Sequence, residues 1–116
     1  MPIDLHTQLQ PHASQMAALL KAMAHEERLL ILCALAEGEA SVGELLQRSH
    51  LSQSAFSQHL AVLRREQIVR ARKQAQHVFY AIENPVVVQL LQVLKQSACG
   101  PAAEHADRKD STGRTD

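Results

Sequence analysis

Ser52-Gln53-Ser54-Ala55-Phe56-Ser57-Gln58-His59-Leu60, with Leu63-Arg64-Arg65 following, is the stretch whose reading decides the fold. Ser52 reads as an N-cap, its hydroxyl placed to accept from an unpaired amide of the first helical turn. Phe56, Leu60 and Leu63 recur at i, i+4 and i+7, so one side of the helix is apolar and faces a core. Gln53, Ser54, Ser57 and Gln58 fall on the early turns, away from that stripe. Short amides and hydroxyls at the tip of an anchored helix suit base edges and phosphate oxygens in a major groove. A lone polar face is more often simply solvated, so the surroundings carry the decision.

Upstream, Ser41-Val42-Gly43-Glu44 fits the capping-box pattern and predicts a short helix through about Arg48. His50-Leu51 then make the turn. Downstream, Ile68 to Lys73 and His77 to Ile82 are β-prone, with Val78, Tyr80 and Ile82 alternating onto one face. Gln74-Ala75-Gln76 contains neither Gly nor Asn, which leaves the turn type open. The order helix, turn, helix, basic hairpin predicts a DNA-binding winged helix. His59, Arg64, Arg65, Arg72 and Lys73 join the tip residues as its predicted DNA-facing set, with the arginines and the lysine mainly on phosphate.

Formal net charge is zero, but the distribution is uneven. Residues 52–80 carry Arg64, Arg65, Arg70, Arg72 and Lys73 against Glu66 alone. Residues 25–50 carry Arg28 and Arg48 against Glu26, Glu27, Glu37, Glu39 and Glu44. Positive charge therefore gathers where a phosphate backbone would lie, and neutralised phosphates release counterions.

The remaining chain predicts a loose arm over 1–12, which holds two prolines and little periodicity. Met16, Leu19, Leu20 and Met23 then mark an amphipathic helix ending near Ala24. His25-Glu26-Glu27-Arg28 opens the next, and its body Leu29-Leu30-Ile31-Leu32-Cys33-Ala34-Leu35 is apolar all round, which predicts burial. Gly38 ends it. Asn84-Pro85 pairs an N-cap with proline at the first helical position. Val87, Leu90, Leu91 and Leu94 keep helical spacing to about Cys99, where Gly100-Pro101 stop the helix. The expected limits are one domain over 13–99 and a disordered tail over 100–116. The first and last helices of this domain together make a plausible homodimer surface, and a two-fold dimer reads two half-sites of an inverted repeat.

With 116 residues and 46% hydrophobic content, the chain suits a single domain whose core uses aliphatic side chains. No apolar run is long enough to span a membrane, and no secretory signal is visible, so a cytoplasmic protein is expected. Two cysteines fit reduced thiols in that compartment. No cofactor and no metal site are predicted: His6, His12, His25, His50 and His105 have no compact ligand spacing. An enzyme is not expected, because Ser57 and His59 stand two apart on a helix and share no face.

On Leu19-Leu20-Lys21-Ala22-Met23-Ala24-His25, Arg28-Leu29-Leu30-Ile31-Leu32, Ser41-Val42-Gly43-Glu44-Leu45, the Ser52–Leu60 string and Val78-Phe79-Tyr80, the chain resembles the ArsR/SmtB family of bacterial winged-helix repressors. The resemblance covers about residues 14–99. It implies a mainly α fold with a small β-hairpin, in the order four helices, two strands, one helix. It also implies a homodimer through the first and last helices, on operator DNA that an effector releases. Glu26 departs from the proline that many members carry after this histidine.

The effector differs among members. The cysteines of the metalloid branch are missing from Glu44-Leu45-Leu46-Gln47-Arg48, and the zinc branch's carboxylates and histidines are missing from residues 85–99. Cys33 and Cys99 remain. From position alone, Cys33 reads as a small core hydrophobe and Cys99 as incidental. The arrangement is similar, however, to the persulfide- and redox-responsive branch, in which a dithiol of the second and last helices is bridged within one protomer. The resemblance thus implies a repressor of sulfur or oxidative-stress genes, with a reactive sulfur species or oxidant as effector; some members instead displace another repressor. A metal-responsive repressor and a winged-helix protein-interaction module are the alternatives.

Overall fold

The computed structural model describes residues 4–100. They fall into two compact units, one running to Glu83 and one beginning at Asn84, so the expected domain over 13–99 spans both. The predicted tail, apart from Gly100, lies outside the described residues, as does His105.

The first unit opens with α1 (Leu5–Leu9) and a 3₁₀ turn (Gln10–His12), where a loose arm is predicted. Asp4 caps α1 by accepting from the Thr7 amide at 2.8 Å. Pro11 sits early in the 3₁₀ turn, where no N–H is needed. None of these residues is buried, so local hydrogen bonding shapes the segment without packing.

Next come α2 (Ala13–Met23) and α3 (Glu26–Leu35). His25 caps α3, its Nδ1 accepting from the Glu27 amide at 3.1 Å. Glu26 and Glu27 complement the positive helix start. Gly38, at φ 139°, turns the chain in a conformation that a side chain would strain. A two-residue strand β1 (Ala40–Ser41) follows, which the sequence does not signal. The capping box of α4 (Val42–Gln47) is present in both halves: Ser41 Oγ accepts from Glu44 N at 3.1 Å, and Glu44 Oε1 accepts from Ser41 N at 2.8 Å.

Helix α5 (Gln53–Arg65) leads into β2 (Val69–Gln74) and β3 (His77–Ile82). The expected two-stranded hairpin is thus part of a three-stranded antiparallel sheet, ordered β1-β3-β2. Ala40 pairs with Tyr80, and Arg72 lies opposite Phe79. The turn Ala75-Gln76 has positive φ at its first residue, 56°, which matches a II′ turn better than a I′ turn. The core collects Met23, Ile31, Leu32, Leu35, Leu45, Phe56, Leu60, Leu63, Ile68 and Val69.

In the second unit, Asn84 Oδ1 accepts from Val86 N at 2.9 Å and starts α6 (Pro85–Cys99), which Gly100 ends.

The junction of α5 and β2 is a Schellman motif. Ile68 N donates to Leu63 O and Gln67 N to Arg64 O, each at 2.9 Å. Leu63 and Ile68 are both fully buried, supplying the apolar contact that accompanies this motif. Gln67 occupies the left-handed position, φ 60°, where glycine is free of strain. Gln67→Gly is therefore expected to stabilise the protein by roughly 0.5–1 kcal/mol. In urea the midpoint should rise with an unchanged slope; a lower midpoint would mean that the Gln67 side chain contributes more than its backbone costs.

Candidate nucleic-acid interface

The candidate surface is the outward side of α5. Ser52 Oγ accepts from Ala55 N at 3.2 Å, and burial of Phe56, Leu60 and Leu63 fixes the rotation of the helix about its axis. That rotation leaves Gln53, Ser54, Ser57 and Gln58 exposed on the first turns. Arg64 and Arg65 are exposed on the last turn, where they also oppose the negative helix end.

His59, expected in the DNA-facing set, is half-buried and engaged elsewhere. Its ring lies 4.5 Å from that of His25, centroid to centroid, and its Nδ1 is 3.3 Å from Arg28 Nη1. Arg28 Nε also donates to the Ala22 carbonyl, so one guanidinium ties the end of α2 to α5. An arginine only donates, so the neutral imidazole must accept at Nδ1. Burial, followed by His25 and Arg28, pushes the His59 pKa below its ordinary 6.5.

In the wing, Arg70 and Lys73 are exposed on β2. Arg72 is also on the surface but is already paired. Its Nε and Nη2 donate to the two oxygens of Glu39 at 3.1 and 2.8 Å, and its Nη1 donates to Gln74 Oε1 at 2.6 Å. The guanidinium also lies over Phe79, 4.9 Å from the ring centre. The Arg72 hydrogen bond holds the Glu39 carboxyl below its ordinary 4.5. Glu39 has no signal in the sequence, because a strand of two residues leaves no periodicity to detect.

Helix α3 departs from the expected burial on all sides. Ile31, Leu32 and Leu35 face the core, but Leu30 is 55% exposed and Cys33 is exposed. The rest of the unit packs on one side of α3 and leaves the Leu30–Cys33 side outward. Cys33 lines a cavity of about 210 Å³ with Ile31, Leu45, Phe56 and His50. It is also lined by Glu27, whose carboxylate lies 3.5 Å from His50 Nε2, and by Arg48 and Glu37, an ion pair at 3.6 Å. Cys99, in the other unit, is exposed at the end of α6.

The predicted dimer residues separate into two groups. Met23, Val87 and Leu91 are buried. Leu19 and Leu90 are half-buried. Met16, Leu20 and Leu94 remain exposed, and Val86 and Val93, outside the predicted set, are exposed with them. Among the described residues, no three His, Cys, Asp or Glu side chains are arranged to hold a metal, and no helix is long and apolar enough to cross a membrane.

The His59 geometry sets a pH dependence. Unfolded His59 takes a proton near 6.5, whereas the folded site resists it, so stability is full above 6.5 and falls as pH drops through the lowered folded value. Thermal unfolding between pH 7.5 and 5 should show this loss, and His59→Gln should flatten it. An unchanged profile in the variant would assign the loss to other groups.

Residues 25–71 match the family model described as "Bacterial regulatory protein, arsR family". The chain is 47% identical over 98 residues to the transcriptional activator HlyU of Vibrio cholerae, covering 84% of this chain and 90% of that protein. It is 39% identical over 93 residues to the biofilm growth-associated repressor of Agrobacterium fabrum, covering 80% of each. Among solved structures, reduced HlyU from Vibrio cholerae superposes with a TM-score of 0.74 at 48% identity, over 79% of this chain and 97% of that one. The transcriptional repressor BigR from Xylella fastidiosa gives 0.77 at 36% identity, over 83% and 98%. With the helix-turn-helix and wing in place and likeness extending over most of each relative, the chain belongs to the ArsR family of winged-helix transcriptional regulators.

Proposed function

We propose that the protein is a dimeric cytoplasmic repressor that binds an inverted-repeat operator and releases it when Cys33 and Cys99 are oxidised. The observation that carries the DNA-binding part is the exposed tip Gln53, Ser54, Ser57 and Gln58 on a helix whose opposite side is core. Amides of this kind can bond adenine bidentately, while Arg64, Arg65, Arg70 and Lys73 offer charge to phosphate. The exposed apolar side chains Met16, Leu20, Val93 and Leu94 support a second copy as partner, and a two-fold pair presents two reading helices. The curated relatives include an activator and a repressor, so displacement of another regulator is a second outcome of the same binding.

Exposure of both thiols supports the switch, because oxidants must reach a sulfur before it reacts. Closing a disulfide removes one hydrogen from each thiol. A peroxide takes both and leaves as two waters; an organic persulfide takes both and leaves as its thiol and hydrogen sulfide. A bridge to α3 would act close to the reader, since the cavity beside Cys33 is also lined by Phe56 of α5. Likeness to a protein solved in a form called reduced agrees with redox control.

Gln53→Ala or Gln58→Ala should relax operator discrimination by about 1–3 kcal/mol for each base edge no longer bonded. Binding titrations against the protein's own promoter and scrambled duplexes read this directly. Equal affinity for both duplexes in the unaltered protein would refute sequence-specific reading.

Cys33→Ser and Cys99→Ser should each bind operator normally and keep it after persulfide or peroxide, while the unaltered protein lets go. Intact mass on non-reducing samples should show the loss of two hydrogens for a disulfide, or added sulfur for a polysulfide bridge. A fully bridged protein with unchanged affinity would eliminate the switch.

A further inference from the structure

We infer that Arg72 is a positioning residue of the wing, bound to Glu39 and not to phosphate when the protein sits on DNA. The inference rests on the DNA-binding reading above and deepens it, because it divides the wing's cations by task. A guanidinium has five N–H donors in a fixed plane. In Arg72 all three nitrogens already donate, two to the Glu39 carboxylate and one to Gln74, while one face of the plane covers Phe79. The paired fork with carboxylate is the strong arrangement for arginine, and lysine cannot reproduce it.

The position of these groups shows what the pair braces. Arg72 stands on β2 directly opposite Phe79 of β3, and Glu39 immediately precedes β1, whose Ser41 pairs with that same Phe79. One guanidinium therefore ties the outer strand of the wing to the chain entering the opposite edge strand. Ser41, next along β1, caps α4, the first helix of the helix-turn-helix. The brace thus joins the wing to the chain that enters the reader. Turning the Arg72 fork onto a phosphate would give up the bidentate pair and leave Glu39 negative beside the DNA. Arg70 and Lys73, exposed on the same strand, are in no ion pair among the described residues and carry the phosphate contacts of the wing.

The two roles give opposite signs in one variant. If Arg72 served phosphate, Glu39→Gln would free it, raising affinity and steepening the salt dependence. As a brace, Arg72 loses its anchor in Glu39→Gln, so affinity should fall several-fold with the salt slope unchanged. Arg72→Lys keeps the charge but loses the fork, and should fall likewise at unchanged slope. Lys73→Gln should instead flatten the slope by about 0.9 for each protomer, about 1.8 for a dimer on its operator, since each copy leaves one phosphate without its cation. In the free protein, amide exchange across residues 69–82 should quicken in Glu39→Gln, a readout independent of DNA. Tighter binding by Glu39→Gln, a flatter slope in Arg72→Lys, or unchanged wing exchange would overturn the assignment. Failure of the unaltered protein to bind any duplex with salt dependence would overturn the DNA reading itself, while the exchange measurement would still judge the brace.

Discussion

Burial of Phe56, Leu60 and Leu63 along one stripe of α5 is the constraint on which the rest depends. Each such side chain contributes about 1.5–3 kcal/mol when removed from water. The stripe matters more for direction than for energy. A helix gripped on one side cannot rotate, so the opposite residues, Gln53, Ser54, Ser57 and Gln58, are held at fixed angles to solvent. The Schellman closure at Gln67 extends that control into the wing, because Ile68 leaves the helix and enters the core in a single step. Reader and wing are therefore positioned by one continuous packing unit.

Cations in this chain divide between structure and surface. Arg28 joins the end of α2 to His59, Arg48 pairs with Glu37, and Arg72 is held by Glu39 and Gln74. Arg64, Arg65, Arg70 and Lys73 enter none of the described ion pairs and are exposed. The zero net charge is compatible with a polyanionic partner because the acidic residues lie almost wholly outside residues 52–80, and several before the reader take up arginines or a helix start. Such an arrangement limits long-range attraction to all nucleic acid and concentrates it at one face.

The outward side of α3 is the other informative departure. A helix apolar all round is expected to be enclosed, yet Leu30 and Cys33 reach solvent. In the proposed switch, exposure would let an oxidant reach the Cys33 thiol, which core packing would prevent. Glu27 with His50 and Glu37 with Arg48 line the same cavity together with the apolar Ile31, Leu45 and Phe56.

The sequence by itself determined the helices, their caps and the face of the reader. Those features are local: N-caps at Ser41, Ser52 and Asn84 depend on hydrogen bonds within three residues, and the α5 stripe depends on a period of about 3.6. Helical order over residues 5–12 is not legible even though Asp4 marks its cap, because two prolines and weak periodicity hide it. Only the tertiary structure decided what side chains do across long separations. The β1–β3 pairing brings Glu39 to Arg72, the approach of α3 to α5 brings His25 to His59, and packing within the first unit buries Met23 while leaving Leu20 out. A residue's type and spacing state which bonds it can make; which partner arrives depends on distant segments meeting, and no local period encodes that.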